Sequence, residues 1–225
     1  MTTTHELDRP PHAGTLDFLG NGRLLLAMLL GFGVLVGAAA IASRVTITGP
    51  DAGSALSGAE VTPPRALPAL ALVRADGSAW SSADTEGRLA LYFFGYTHCP
   101  DVCPLTLSRA NQIQTQLGAD AAQVDVYFVT VEPARDTPER LGRYVSQFSP
   151  DFTALTGTTA QLAAAQTAFG VIAVQQPNSS GSGYTVDHTA SSYLVDSDGR
   201  IRLIYPHDGP SDDVVGDIRT LLSAE

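Results

Sequence analysis

The 225-residue sequence contains no Lys: its 13 basic residues are all Arg, against 23 Asp and Glu, for a formal net charge of −10. A chain so poor in positive charge has no electrostatic footprint for a phosphate backbone, which excludes nucleic acid as an expected partner. Cysteine is as scarce. Only Cys99 and Cys103 occur, too few for a disulfide-stapled small protein or for a site made of four thiolates. Methionine stops at Met28, so the rest of the chain has no thioether to offer a soft metal. Charged residues make up only 16% and hydrophobic ones 44%, which rules out a disordered polar chain. The length allows one ordinary domain with an appendage.

Residues 24–43 carry no charge and are bracketed by Arg23 and Arg44. About 20 apolar residues suffice to cross a bilayer as a helix. A cleaved signal peptide is the competing reading, with Ala40-Ile41-Ala42 as its small-residue processing site. The apolar run is longer than an ordinary signal core, and the leader before it is long and carries acids, so an uncleaved anchor is the expectation. Gly33 and Gly37 form a G-x-x-x-G spacing that could also pair such helices. The division is then a cytoplasmic tail at 1–23, a transmembrane anchor at 24–43, a Gly/Ala/Ser/Thr/Pro-rich linker at 44–64 and a domain at 65–225 outside the cytoplasm. From residue 45 onward ten Arg face twenty acids, so the whole net charge belongs to that outer part.

The domain alternates strand and helix signals, the pattern of an α/β fold. Ala69–Val73 and Ala79–Trp80 flank Asp76-Gly77 and read as an added N-terminal β-hairpin. Leu89–Phe94 is a continuous apolar run, as expected of a strand buried on both faces, and Val124–Val131 is a second. Between them Leu107, Ala110, Ile113 and Leu117 share one face of a helix from Pro104 to about Leu117. Thr137-Pro138 announces another helix, with Leu141, Tyr144, Val145 and Phe148 at helical spacing. Thr158 with Gln161 is a capping box for a helix ending near Gly170. Ser191–Val195 and Ile201–Tyr205 surround Asp198-Gly199 as a second hairpin, and a last helix follows Pro210. A strand–loop–helix unit bearing a Cys pair, with hairpins and helices around it, suggests a thioredoxin-like layout.

The pair lies in Cys99-Pro100-Asp101-Val102-Cys103-Pro104, between the buried strand and its helix. Ligands bind most readily beyond the carboxyl ends of such strands. Cys103 falls at the helix start, where unpaired N–H groups and the helix dipole favour a thiolate. With three residues between them the thiols can close a disulfide or hold a soft metal ion together. A structural staple is the plain alternative, but a crosslink this short closes little chain and stabilises little. A dithiolate alone leaves a metal site incomplete, and the domain supplies only His98, His188 and His207. His98 should point away from the face of its neighbour Cys99. His207 sits in a polar loop. His188 enters a strand from a Gly/Ser-rich loop, with Asp187 placed to orient its ring. Asp101 either adds charge to the site or is a solvated turn residue.

Phe94-Gly95-Tyr96-Thr97-His98-Cys99-Pro100-Asp101-Val102-Cys103-Pro104 resembles the signature of the Sco/SenC family of copper-binding, membrane-anchored, thioredoxin-fold proteins. Glu132-Pro133-Ala134-Arg135-Asp136-Thr137-Pro138 resembles its second motif, Leu155-Thr156-Gly157 its third, and Val186-Asp187-His188-Thr189 with Tyr193-Leu194-Val195 its fourth. Glu132 departs from the family pattern, which has Asp there. The resemblance runs from about residue 60 to 222. It implies Cys99, Cys103 and His188 as ligands of copper, as Cu(I), Cu(II) or both, and no catalytic residue. It further implies delivery of copper to the dinuclear copper centre of cytochrome c oxidase subunit II, exchange with other copper carriers, and a place in the inner (cytoplasmic) membrane with the domain on the periplasmic side. The donor chemistry agrees, because Cu(I) prefers thiolates and Cu(II) gains from an imidazole nitrogen. Zinc is the competing ion. The alternative function is a thiol–disulfide reductase that cycles Cys99 and Cys103 as a redox-active disulfide and keeps the acceptor's cysteines reduced. Against general oxidoreductase work stand the C-x-x-x-C spacing and the lack of any proline between Pro177 and Pro206, where thioredoxins present substrate.

Overall fold

The structure is a computed structural model that describes residues 56–177 and 183–224. Among these no helix is long and apolar enough to cross a membrane; the 24–43 anchor and the 1–23 tail lie outside the described residues.

The strand expected at Leu89–Phe94 runs over Leu89–Gly95 (β4), and every residue of it is buried. Alternation explains how. Leu89, Leu91 and Phe93 join one hydrophobic cluster, and Ala90, Tyr92 and Phe94 join another on the opposite face. β4 pairs in parallel with Val124–Thr130 (β5), and the crossover between them is helix α1, Val102–Leu117. β5 pairs in parallel with Thr153–Thr156 (β6), an element too short to announce itself in the sequence. The N-terminal hairpin, Ala71–Arg74 (β2) and Ala79–Ser81 (β3), attaches antiparallel to β6. On the other side of β4 lie Ser191–Val195 (β9), Arg200–Pro206 (β10) and Ala59–Ala66 (β1), all antiparallel. The sheet order is β1-β10-β9-β4-β5-β6-β2-β3, and a separate hairpin pairs Ala173–Pro177 (β7) with Tyr184–His188 (β8).

Helices cover both faces. α1, α2 (Pro138–Val145) and α4 (Ser211–Leu222) pack on the Leu91 side, and α3 (Thr159–Phe169) on the Tyr92 side. Thr137 caps α2 ahead of Pro138, and Thr158 with Gln161 caps α3 in the reciprocal arrangement. α3 ends on Gly170 at φ 72°, a left-handed conformation in which a Cβ would be strained. α2 is shorter than its spacing suggests. It stops at Val145, and Phe148 packs on Tyr144 from the next turn.

One boundary needs correction. β1 begins at Ala59, inside the 44–64 stretch read as linker, so ordered structure starts earlier. The sequence hides this strand because Ala-Glu-Val-Thr-Pro-Pro-Arg-Ala is almost wholly exposed and has no alternation. Its backbone pairing with β10 and a side-chain anchor hold it. Asp217 on α4, 1% exposed, accepts hydrogen bonds from the backbone N–H of Ser57 (2.7 Å), that of Gly58 (2.8 Å) and the Tyr205 hydroxyl (2.9 Å). Asp217→Ala strands these three donors at once. A loss of about 3 kcal/mol is expected, seen as a urea midpoint lowered by more than about 1 M with an unchanged transition slope.

Candidate metal centre

The in-register pairing of β4 with β5 ends at Gly95 opposite Thr130, so the loops that follow emerge side by side. From Gly95 the chain runs through Tyr96 and Thr97 into a turn closed by the Cys99 N–H on the Tyr96 carbonyl at 3.2 Å. Asp101 precedes α1, and Cys103 is the second residue of that helix, fully buried. The Cys103 sulfur packs on the backbone of Gly95, where an added Cβ would lie 2.8 Å from it. Glycine is required there by close approach, not by its dihedral freedom.

The two cysteines are free thiols, and they are electrostatically unlike. The Cys103 thiol donates to Cys99, and this hydrogen bond is the main reason that the Cys99 pKa falls to about 4; His188 and the backbone N–H groups of Asp101 and Cys103 reinforce it. The Cys103 N–H lies 3.4 Å from the Cys99 sulfur. Conversely, the hydrogen bond to Cys99 and burial push the Cys103 thiol far up. The expectation of a thiolate at Cys103 is therefore reversed. The helix-start N–H groups do stabilise a thiolate, but the sulfur they reach is the half-buried one at Cys99.

His188 closes the set. It is the last residue of β8, and its Nε2 lies 3.5 Å from the Cys103 sulfur. Its Nδ1 sits 3.1 Å from the Thr189 carbonyl. A carbonyl only accepts, so Nδ1 donates to it, and Nε2 is the ring nitrogen turned to the sulfurs. The orienting group is thus a backbone carbonyl and not Asp187, which is exposed on β8. Tyr96 and Phe93 meet the imidazole edge-on, with ring centroids 5.9 and 6.1 Å away. The sulfurs of Cys99 and Cys103 and a ring nitrogen of His188 all lie within 4.8 Å of one another. Cys99 and His188 line an open cleft of about 460 Å³ between the Cys99–Val102 turn and the Thr185–His188 strand, and Cys103 lies buried behind them. Two sulfurs and an imidazole gathered at the base of such a cleft can hold a soft or borderline metal ion.

His98 and His207 take no part. His98 turns away to a second group with Glu132 and Asp136. There its Nε2 accepts from the Arg140 guanidinium at 2.8 Å, while Arg135 binds Glu132 at 2.6 Å. Arg135 compensates Glu132, and Asp136 is met by hydrogen-bond donors from Thr97 and Thr130, so the group is a network of structural contacts. His207 lies in the loop after β10, its carbonyl accepting from Arg109. Asp101 is exposed, as a solvated turn residue would be. Three contributors to the centre carried no separate sequence signal: Tyr96, whose hydroxyl accepts from the Val186 N–H at 3.2 Å, the Thr189 carbonyl, and Asp136. Asp136 is 1% exposed and accepts from Thr97 N–H (3.1 Å), Thr97 Oγ1 (2.6 Å) and Thr130 Oγ1 (2.7 Å), which ties the cysteine-bearing turn to the end of β5.

A lowered pKa means that Cys99 is already ionised at neutral pH, so its alkylation rate should be flat between about pH 6 and 8. An ordinary thiol would speed up about tenfold per unit over that range. Cys103 should react much more slowly. Timed iodoacetamide labelling of the reduced protein, read by peptide mass, checks both.

The SCO1/SenC family pattern matches residues 61–223. The human "Protein SCO2 homolog, mitochondrial" is 35% identical over 150 residues, a match that takes in 66% of this chain and 56% of the human protein. This chain therefore spans little more than half the length of that relative. Among solved structures, Bradyrhizobium japonicum ScoI with copper bound superposes with a TM-score of 0.64 at 35% identity, covering 69% of this chain and 99% of that one. Yeast Sco1 with copper bound gives 0.65 at 26% identity, covering 72% and 91%. The architecture is thus the thioredoxin-like Sco fold, and with the family pattern covering nearly all of the described residues, the chain belongs to the SCO1/SenC family.

Proposed function

We propose that this protein is a membrane-anchored copper metallochaperone in which Cys99, Cys103 and His188 hold the ion. The observation that carries the reading is the convergence of two sulfurs and one imidazole nitrogen within 4.8 Å beside an open cleft. Three such donors suit a low-coordinate Cu(I), and the imidazole adds affinity for Cu(II). They are one short of the four ligands that structural zinc takes. Family membership and the copper-bound relatives support the same cargo.

Delivery would proceed by ligand exchange. Cys99 and His188 are partly exposed and Cys103 is buried, so an acceptor thiolate reaches the ion from the Cys99–His188 side and displaces those donors before Cys103 lets go. The acceptor implied by the family resemblance is subunit II of cytochrome c oxidase, at its dinuclear copper centre, with other copper carriers as further exchange partners. The acidic outer part favours an acceptor with a basic patch. The uncharged 24–43 stretch supports a single-pass anchor in the inner membrane, with the domain on the extracytoplasmic side.

The Cys99 thiolate beside a protonated Cys103 favours a second reading, as a thiol–disulfide reductase for the same acceptor. Cys99 would attack the acceptor disulfide and release one acceptor thiolate. Cys103, on losing its proton, would then displace the other, so that the acceptor gains two electrons and Cys99–Cys103 becomes the disulfide.

Anaerobic titration of the reduced protein should show one Cu(I) per chain, with binding lost in Cys99→Ala and Cys103→Ala. His188→Ala should weaken Cu(II) by at least about 100-fold. Preference for zinc over copper, or a Cu(II) affinity indifferent to His188, would sink the site. For the reductase, Cys103→Ala should accumulate a mixed disulfide with the oxidase subunit in cells; its absence argues for the chaperone alone.

A further inference from the structure

The ligands come from two separate supports. The cysteines stand on the turn between β4 and α1, fixed to the main sheet. His188 stands on the β7–β8 hairpin, whose strands hydrogen-bond to each other and to no strand of that sheet. There is space on both sides of this hairpin: the cleft of about 460 Å³ towards the cysteines, and a second cavity of about 180 Å³ behind it, where Ala173 and Val186 face Leu162 and Gln166 of α3. Between these spaces the hairpin is tied to the cysteine side at its middle, by the buried Val186 side chain and by the Val186 N–H on the Tyr96 hydroxyl at 3.2 Å.

The loop between β5 and α2 adds a second tie, at the start of β8. Its Arg135 donates from Nε to Glu132 at 2.6 Å and from Nη2 to the Tyr184 carbonyl at 3.3 Å, and its guanidinium carbon lies 4.0 Å over the Tyr184 ring. Tyr184 is the first residue of β8, four before His188. Glu132 is 2% exposed, so the charge that holds Arg135 is a buried one, in surroundings where an ion pair is held firmly and with defined geometry. The same loop is locked to the cysteine side by Asp136, through Thr97 and Thr130. A hairpin held by Arg135 is thus held relative to the sulfurs.

We propose that Arg135 is a positioning residue for the metal centre: seated on buried Glu132, it clasps Tyr184 and sets how close the His188 imidazole stands to Cys99 and Cys103. A planar, forked cation is needed, because one group must bridge a carboxylate and a carbonyl while lying flat on a phenol ring. The two sulfurs do not depend on the clasp. Its loss should therefore separate the two oxidation states, leaving Cu(I) on the dithiolate and weakening the imidazole-dependent binding of Cu(II).

The inference rests on the copper reading, and the test keeps the two apart. Removing Arg135 alone would strand a buried carboxylate, so the informative protein is the double variant Glu132→Gln/Arg135→Gln, with Arg135→Lys beside it. Each reduced full-length chain is loaded with Cu(I) or Cu(II). Stoichiometry, affinity and the nitrogen hyperfine coupling in the Cu(II) electron paramagnetic resonance spectrum are measured. The double variant should still bind one Cu(I), lose about 10- to 100-fold in Cu(II) affinity, and show weakened or absent nitrogen coupling. Arg135→Lys, which keeps the charge but not the fork, should fall between it and the wild type. Asp217→Ala, destabilised far from the clasp, should keep the full coupling. Coupling and Cu(II) affinity within twofold of wild type in the folded double variant would overturn the clasp, as would an equal loss in Asp217→Ala. If His188→Ala leaves the coupling unchanged, the copper site itself is wrong and the clasp falls with it.

Discussion

β4 and β5 run parallel in unbroken register from Leu89 opposite Val124 to Gly95 opposite Thr130, both buried almost throughout. A one-residue slip would turn each alternating side chain to the wrong helix layer, so the register is strongly specified. It sets the strand ends level. Everything at the site follows from that level: the cysteine turn leaves one strand and the Glu132–Asp136 loop leaves the other, close enough for Asp136 to join them. The close packing of Cys103 on Gly95 is a second product of the same strand end, since only a bare Cα admits the sulfur at that depth.

Charge is placed as carefully as shape. The buried acids Glu132 and Asp136 are met by Arg135 and by three donors respectively, and Asp217 by three more. Partners of this kind make such burial tolerable, and of these three acids only Glu132 keeps an oxygen, Oε2, without one. The Cys99 thiolate, held by a neighbouring thiol and by backbone N–H groups, shares its cleft with the exposed carboxylates of Asp101 and Asp187. The acidic surface thus runs up to the mouth of the cleft, where the sulfurs and the imidazole can hold an ion.

How much of this could be read in the sequence depends on the kind of signal. β4, β5, α1 and the caps at Thr137 and Thr158 were legible because burial on both faces, helical spacing and capping chemistry each leave a mark on residue type. The three converging site residues were named by a motif resemblance, while spacing alone left three histidines open. β1, β6 and β7 leave little mark, being short, or exposed and dependent on a distant partner strand. The preference for a thiolate at Cys103 failed for a related reason: position on the helix can be read from sequence, but depth cannot, and depth put the proton on Cys103. The Thr189 carbonyl and the Arg135–Tyr184 contact are likewise products of chain folding, the first made by a backbone atom common to every residue type.

The proton shared between the two sulfurs has an energetic consequence. At neutral pH the folded protein stabilises the reduced form, because the Cys99 thiolate is favoured there by more than in an unfolded chain, while Cys103 is protonated in both. Stabilising the reduced form raises the reduction potential of the pair, the same sense in which low-pKa thiolates make strong oxidants of their disulfides. The same shift makes the reduced pair a weaker reductant, which weighs against the reductase reading and for the sulfurs as ion donors. The reduced form so favoured is the one in which both sulfurs can act as donors to an ion.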